Sequence, residues 1–303
     1  MHLSLEQLAS LPPAVLIEAL PDFLATHISD PNARTTATEG VREHVAAWTE
    51  AEAIAVRDHI VSVGVDIQLY EAHPLLRLLA RDWCGTLLKT VTVSGIENFD
   101  YALSQGPVVV IGNHLSYVDT QATDAALAQV GRGDLANRLV TVAGPKVYES
   151  LFRRFAAACL STLPVPQSGA VSNVNVSPRD LARLAIQSLK IGKSLPDRGL
   201  VLQIYPEGTR TRNGRMGSFL KGVHRYLAVP GCQIVPMSHS GTDVMFPIAS
   251  DTLSPADYTI NYGTPISVDD AGSTRDALAA AWDAVRSGLP EHLQPDADTT
   301  PLG

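Results

Sequence analysis

The apolar positions of this chain change period once. Up to about residue 88 they recur every three or four residues, as on one face of a helix. Leu16, Leu20 and Leu24 form one such series, and Val41, Val45, Trp48, Ala51 and Ala55 a second. Leu75 to Leu88 gives a third, opened by His73-Pro74. Ser4 with Gln7 makes a capping-box pattern, Pro12 and Pro13 break the first short helix, and Asp30-Pro31-Asn32 is a turn. From Thr90-Val91-Thr92-Val93-Ser94 the period becomes two, as in a half-buried strand. Beyond it, strands at 107–111, 139–143, 163–165, 200–205, 234–237 and 258–262 interleave with helices at about 119–130, 147–159, 177–193, 219–229 and 275–287. Ser177-Pro178 with Asp180 marks one helix start. Alternating strands and helices predict an α/β fold, a mainly parallel twisted sheet flanked by helices, with a smaller helical domain before it. The expected division is 1–88 helical, 89–288 α/β, and 289–303 a loose tail with three prolines and little apolar content. Pro164 and Pro166 place the 163–165 strand at a sheet edge.

Two strand ends deliver polar residues, where open α/β sheets carry their sites. After Val108 to Ile111 comes Gly112-Asn113-His114-Leu115-Ser116-Tyr117-Val118-Asp119. Gly112 permits a sharp change of direction. His114 and Asp119 are five apart, which on an ideal helix leaves them about 140° apart. A loop running into a first helical turn brings them together, and the positive end of that helix keeps Asp119 ionised. An ionised carboxylate fixes an imidazole's tautomer and raises its basicity. These residues alone read either as a general base or as a capping aspartate with an incidental histidine. After Leu200 to Tyr205 comes Pro206-Glu207-Gly208-Thr209-Arg210. From Glu207 to Arg225 there are five basic residues, Arg210, Arg212, Arg215, Lys221 and Arg225, against one acid, Glu207 itself, and Gly208 lets a ligand approach the backbone. Arginine forks suit phosphate oxygens. Lys146, Arg153 and Arg154 read as a solvated helix face or a second basic contribution, and His224 and His239 as a helix-face and a strand-end histidine.

Composition narrows the function classes. A net charge of −8 over 303 residues argues against nucleic acid as the main partner. The 45% hydrophobic content fills a sizeable core. Three sparse cysteines, Cys84, Cys159 and Cys232, suit a reduced cytoplasm and buried thiols. Met1 to Glu6 shows no signal-peptide pattern. No apolar run reaches the roughly 18 residues of a membrane helix, so a lipid substrate would be met peripherally, at the membrane surface. Gly131-Arg132-Gly133-Asp134-Leu135-Ala136 matches a dinucleotide fingerprint but follows a helix, and Gly192-Lys193-Ser194 lacks the first P-loop glycine, Gln187 standing there. There is neither a G-x-S-x-G elbow nor H-E-x-x-H, and no metal-ligand spacing.

Asn113 to Asp119 resembles the N-H-x-S-x-x-D block of the glycerolipid acyltransferase superfamily, which comprises glycerol-3-phosphate, lysophosphatidate and lysophospholipid acyltransferases. Tyr205 to Arg210 resembles its F/Y-P-E-G-T-R block, and Ile234-Val235-Pro236 its last block. The resemblance covers residues 90–265 or so. It departs in the middle: the family often carries a glycine and an arginine between these blocks for acceptor binding. Here Val142 to Val147 offers Gly144 and Lys146, but Leu163-Pro164-Val165-Pro166-Gln167-Ser168 brings no arginine. Residues 168–199 also lengthen this middle region.

The resemblance implies acyl transfer from acyl-CoA or acyl-carrier protein, as donor substrate, to a hydroxyl of glycerol-3-phosphate or a 1-acylglycerol-3-phosphate, with no further cofactor. It implies His114 as general base and Asp119 as its orienting carboxylate. Ser116 and Asn113 order the loop or bond the ligand. Glu207 and Gly208 shape the acceptor pocket, and Thr209, Arg210, Arg212 and Lys146 hold the phosphate, with Arg215 a lesser candidate. Backbone N–H groups from Gly112 to Leu115 are the expected oxyanion donors. A non-glycerolipid acceptor, and thioester hydrolysis with the same base, remain the alternatives.

Overall fold

The computed structural model describes residues 4–166 and 177–303. Gln167 and Ser168 of the middle block lie outside them. Five helices come first: α1 (Leu5–Ala9), α2 (Pro13–Ala25), α3 (Pro31–Ala46), α4 (Glu50–Ser62) and α5 (Pro74–Gly85). The Ser4–Gln7 capping box forms, and Pro13, Pro31 and Pro74 take the first positions of their helices, where a missing N–H costs nothing. The spacing from Val41 to Ala55 does not run as one helix. Thr49 and Glu52 form a capping box that starts α4 anew, so Ala53, Val56 and Ile60 are buried while Ala51 and Ala55 face solvent.

The rest of the chain alternates: β1 (Leu88–Ser94), α6 (Ile96–Gln105), β2 (Val108–Gly112), α7 (Asp119–Gln129), α8 (Gly133–Arg138), β3 (Leu139–Ala143), α9 (Leu151–Ala158), β4 (Ser161–Pro164), α10 (Pro178–Ser194), β5 (Val201–Ile204), β6 (Gln233–Ser240), α11 (Thr242–Met245), β7 (Ala256–Tyr262), β8 (Ile266–Ser267) and α12 (Thr274–Ser287). Sequence pattern missed the short elements α6, α8, α11 and β8. The expected helix at 219–229 is instead a 3-10 run, Lys221–Leu227. The N–H groups of Phe219 and Leu220 donate to Pro301 and Pro206, so the backbone there is committed to distant partners.

The sheet has the order β1-β7-β6-β2-β5-β3-β4, with β8 beside β6. β2 to β6 are parallel, β7 runs antiparallel to β6, and β1 follows β7. The proline-bearing β4 lies at the edge, as a strand short of a donor must. β2 is central, which is why its five residues are all buried. Its side chains alternate between two apolar layers. Val108 and Val110 enter one with α2, α3 and α5, and Val109 and Ile111 enter the other with α12. The first five helices therefore share a core with the sheet. A buried ion cluster adds to this: Arg81 makes a two-pronged contact with Asp124 (2.6 and 3.2 Å), and Arg77 lies 3.4 Å away, fixing α5 on α7. Because β5 is the parallel neighbour of β2, the two polar strand-end loops emerge side by side.

Residues 289–303 are docked rather than loose. Leu289 and Leu293 are buried in the second layer. Met216 N–H donates to Leu293 O (2.8 Å), Gly303 N–H to Phe219 O (3.0 Å), and Arg215 to Gln294 O (2.9 Å). Low apolar content misled because two leucines and a row of backbone bonds suffice. Leu293→Ala should therefore cost about 2–5 kcal/mol in urea unfolding. A loss under about 0.5 kcal/mol would show that the segment only rests on the surface.

Candidate active site

The β2 loop enters α7 with Asp119 as the first helical residue. Asp119 is almost fully buried, and its carboxylate is held in the ionised form by donors on every side. Oδ2 accepts from the Nδ1–H of His114 (2.8 Å) and from the N–H groups of Leu115 (2.8 Å) and Ser116 (3.1 Å). Oδ1 accepts from Ser116 N–H (2.9 Å) and Thr242 Oγ1–H (2.6 Å). Burial pushes its pKa up, but His239, lying 3.7 Å away, with the His114 and Thr242 hydrogen bonds, outweighs this and holds it below the usual carboxylate value. The expected pairing of His114 with Asp119 is thus present in the geometry.

An ionised carboxylate can only accept, so Nδ1 of His114 carries the proton and Nε2 keeps a lone pair. Among the described residues nothing in the protein hydrogen-bonds Nε2, and the His114 side chain is 19% exposed. Tyr205, at the end of β5, stacks on the ring at 4.9 Å with planes 20° apart and sets its tilt.

Most of the other polar residues of the two loops are spent on building them. Asn113 is fully buried; its amide exchanges 3.0 Å bonds with both backbone groups of His239, zipping the end of β2 to β6. Ser116, also fully buried, donates to Phe246 O (3.0 Å). Neither is free to touch a substrate. Glu207 does not shape an acceptor pocket. It spans the loops, accepting from His114 N–H at Oε1 (2.7 Å) and Gly217 N–H at Oε2 (2.8 Å). Burial raises its pKa to about 7, against the pull of those two N–H groups. Gly208 stands at φ 71°, in the left-handed region, and the space a Cβ would need is filled by Leu220. It serves the turn rather than a ligand. Gly112 has no positive φ; a Cβ there would sit 2.6 Å from Met237 Cε and 3.2 Å from Met237 O, so the buried methionine tip would have to move. The N–H groups of His114 and Leu115 are committed to Glu207 and Asp119, which removes them as oxyanion donors.

Beyond this loop opens a cleft of about 780 Å³, walled by Tyr117, Arg153, Arg210, Phe246, His27 and others, with Glu149 and Asp251 also among its walls. The Arg210 guanidinium lies 3.7 Å over the Tyr117 ring. Lys146, Thr209 and Arg212 are exposed and are not among the walls. Arg215 is taken up by the C-terminal segment. Sequence reasoning missed the parts of His239 and Thr242, and left Arg153 between a solvated helix face and a second basic contribution; the structure puts it in the cleft wall. A histidine at the polar end of β6, Ser238-His239-Ser240, was the available signal for the first. The three cysteines are buried, and burial lifts the Cys84 and Cys232 thiols to about 12 and Cys159 further, so none is a thiolate near neutral pH. Among the described residues no cluster of His, Cys, Asp and Glu could hold a metal ion.

Glu207 gives this loop a pH dependence. As pH falls through about 7 its carboxylate takes a proton and no longer offers two acceptors, which loosens the His114 backbone. Activity should fall in the same direction. Glu207→Gln sets an amide NH₂ against a backbone N–H. It should lower kcat at every pH and cost about 1–3 kcal/mol of stability. Wild-type kcat at pH 8 in this variant would exclude the tethering role.

The acyltransferase family model matches residues 90–240, about half of the chain. The chloroplastic 1-acyl-sn-glycerol-3-phosphate acyltransferase of Arabidopsis thaliana is 27% identical over 163 residues, 53% of this chain and 39% of that protein. The chloroplastic enzyme of the same name from Brassica napus is 26% identical over 204 residues, 66% of this chain and 50% of that one. That from Cocos nucifera is 37% identical over 87 residues, 28% of each chain. The match thus spans half or less of each of these relatives. The crystal structure of the 1-acyl-sn-glycerophosphate (LPA) acyltransferase PlsC from Thermotoga maritima has the same fold, with a TM-score of 0.50 at 15% identity over 94% of both chains. With its motif blocks on adjacent strand ends and this family match across the sheet, the chain belongs to the glycerolipid acyltransferase superfamily.

Proposed function

We propose that the protein is an O-acyltransferase that moves a fatty acyl group from a thioester, acyl-CoA or acyl-carrier protein, to the free hydroxyl of a 1-acylglycerol-3-phosphate. The observation that carries this reading is the Nδ1 bond from His114 to Asp119, which leaves Nε2 with a lone pair and no partner among the described residues, on a loop whose Tyr117 walls the cleft with Arg153 and Arg210. The hydroxyl of the acceptor attacks the thioester carbonyl while Nε2 takes its proton. Asp119 stabilises the imidazolium that results, as the acid of a catalytic triad does. The tetrahedral intermediate collapses, the C–S bond breaks, and the thiolate takes the proton back from His114. No acyl-enzyme is required, because the acceptor supplies the nucleophile. Arg210 holds the acceptor phosphate through its fork.

The acceptor is the one that the names of the plant relatives give. Glycerol-3-phosphate carries the same phosphate and is the smaller candidate. The lipid is met at the membrane surface: among the described residues no helix is long and apolar enough to cross a bilayer, and Leu5 and Val15 on α1 and α2 are exposed apolar contacts. Three buried free cysteines accord with a reducing compartment such as the cytoplasm.

His114→Ala should lower kcat by about 10²–10⁴-fold with the circular-dichroism spectrum unchanged. Activity within a few-fold of wild type would remove His114 as the base. Arg210→Ala should raise the acceptor KM roughly tenfold or more, the loss of a charged hydrogen bond. An unchanged KM would take Arg210 out of phosphate binding. Thiol release at the same rate without any acceptor would identify a hydrolase instead.

A further inference from the structure

Tyr117 carries a second guanidinium. Arg153, in the first turn of α9, lies 5.0 Å from the centroid of the ring that Arg210 covers at 3.7 Å. The two arginines come from elements far apart in sequence, and both line the same cleft. Arg153 is positioned rather than loose. Its Nε–H donates to Ser150 Oγ (3.0 Å), the hydroxyl that caps α9, and the side chain is only 23% exposed. Its carboxylate neighbour, Glu149, is 3.6 Å away and largely exposed, a pairing of little strength. Among the described residues Arg210 has no ion pair and no hydrogen bond of its own. Two guanidiniums gathered on one aromatic ring repel each other, and the ring faces offset only part of that. Glu149 and Asp251 also line the cleft, but Arg153 meets Glu149 only at 3.6 Å and, among the described residues, Arg210 pairs with neither. The arrangement suits an incoming dianion with oxygens for both forks.

We propose that Arg153 and Arg210, seated on Tyr117, form a two-armed clamp for a phosphate monoester. The assignment rests on the acyl-transfer reading for which phosphate it is: that of the acceptor. Tyr117 follows His114 by three residues on the same loop, which ties the clamp to the loop that carries the base. The phosphate of a lysophosphatidate is a few bonds from its reacting hydroxyl. The phosphates of an acyl-CoA are separated from the thioester by the whole pantetheine arm.

Inorganic phosphate, titrated calorimetrically into the protein, tests the clamp without turnover. Arg153→Ala should weaken its Kd roughly tenfold, and Arg153→Lys, which keeps the charge but not the fork, should fall between. An unchanged Kd in Arg153→Ala overturns the clamp, whether or not acylation is observed. Turnover then assigns the source. Arg153→Ala should raise the lysophosphatidate KM about tenfold, change kcat less, and cut the preference for lysophosphatidate over phosphate-free monoacylglycerol by the same factor. An equal KM rise for both acceptors would mean that Arg153 only packs, and would overturn the proposal. So would a KM rise confined to acyl-CoA and absent with a phosphate-free acyl thioester, which would give the clamp to the donor. No acylation by the wild type, with phosphate binding still dependent on Arg153, would refute the acyl-transfer reading and the acceptor assignment while leaving the clamp standing.

Discussion

A buried carboxylate must be given donors or lose its charge, and that constraint organises the strand-end loops around Asp119. Asp119 receives donors from His114, Leu115, Ser116 and Thr242. To supply them, the chain must leave β2, fold over the start of α7 and bring α11 against it. The imidazole is one of those donors, so the same constraint sets its tautomer. The conformation of the loop and the basicity of His114 thus have a common cause. α7, which carries Asp119 at its first position, is itself anchored on α5 by the Arg81–Asp124–Arg77 cluster.

Much of the motif builds the loop and leaves few groups for the ligand. Asn113 is consumed by His239, Ser116 by Phe246, and Glu207 by two backbone N–H groups on separate loops. What turns outward is small: Nε2 of His114, and the guanidiniums of Arg210 and Arg153 on Tyr117. The price of this rigidity is a carboxylate, Glu207, whose pKa near 7 puts the integrity of the loop within reach of ordinary pH.

The legible part of the fold was the local part. The buried strand β2, the Ser4 and Ser177 helix starts and the edge position of β4 follow from short-range rules, and all appear, whereas Asp30-Pro31-Asn32, which reads as a turn, caps and starts α3. The His114–Asp119 pair was legible because five residues and a helix start fix it. Roles that depend on partners over a hundred residues away were not. Asn113 and His239 are 126 positions apart, and Ser116 and Phe246 130, so nothing near Asn113 or Ser116 showed that their polar atoms were already spoken for. Arg153 looked like a solvated helix residue because its ring partner, Tyr117, lies on another element. The C-terminal segment looked loose because its few apolar residues find a distant layer.

Asp119 holds His114 as the Nδ1–H tautomer and leaves Nε2 its lone pair. Two-dimensional ¹H–¹⁵N correlation spectra of the imidazole nitrogens, recorded at mildly alkaline pH, read this tautomer. A protonated Nδ1 and a pyridine-like, unprotonated Nε2 are expected for His114. A proton on Nε2 and a bare Nδ1 would contradict that tautomer.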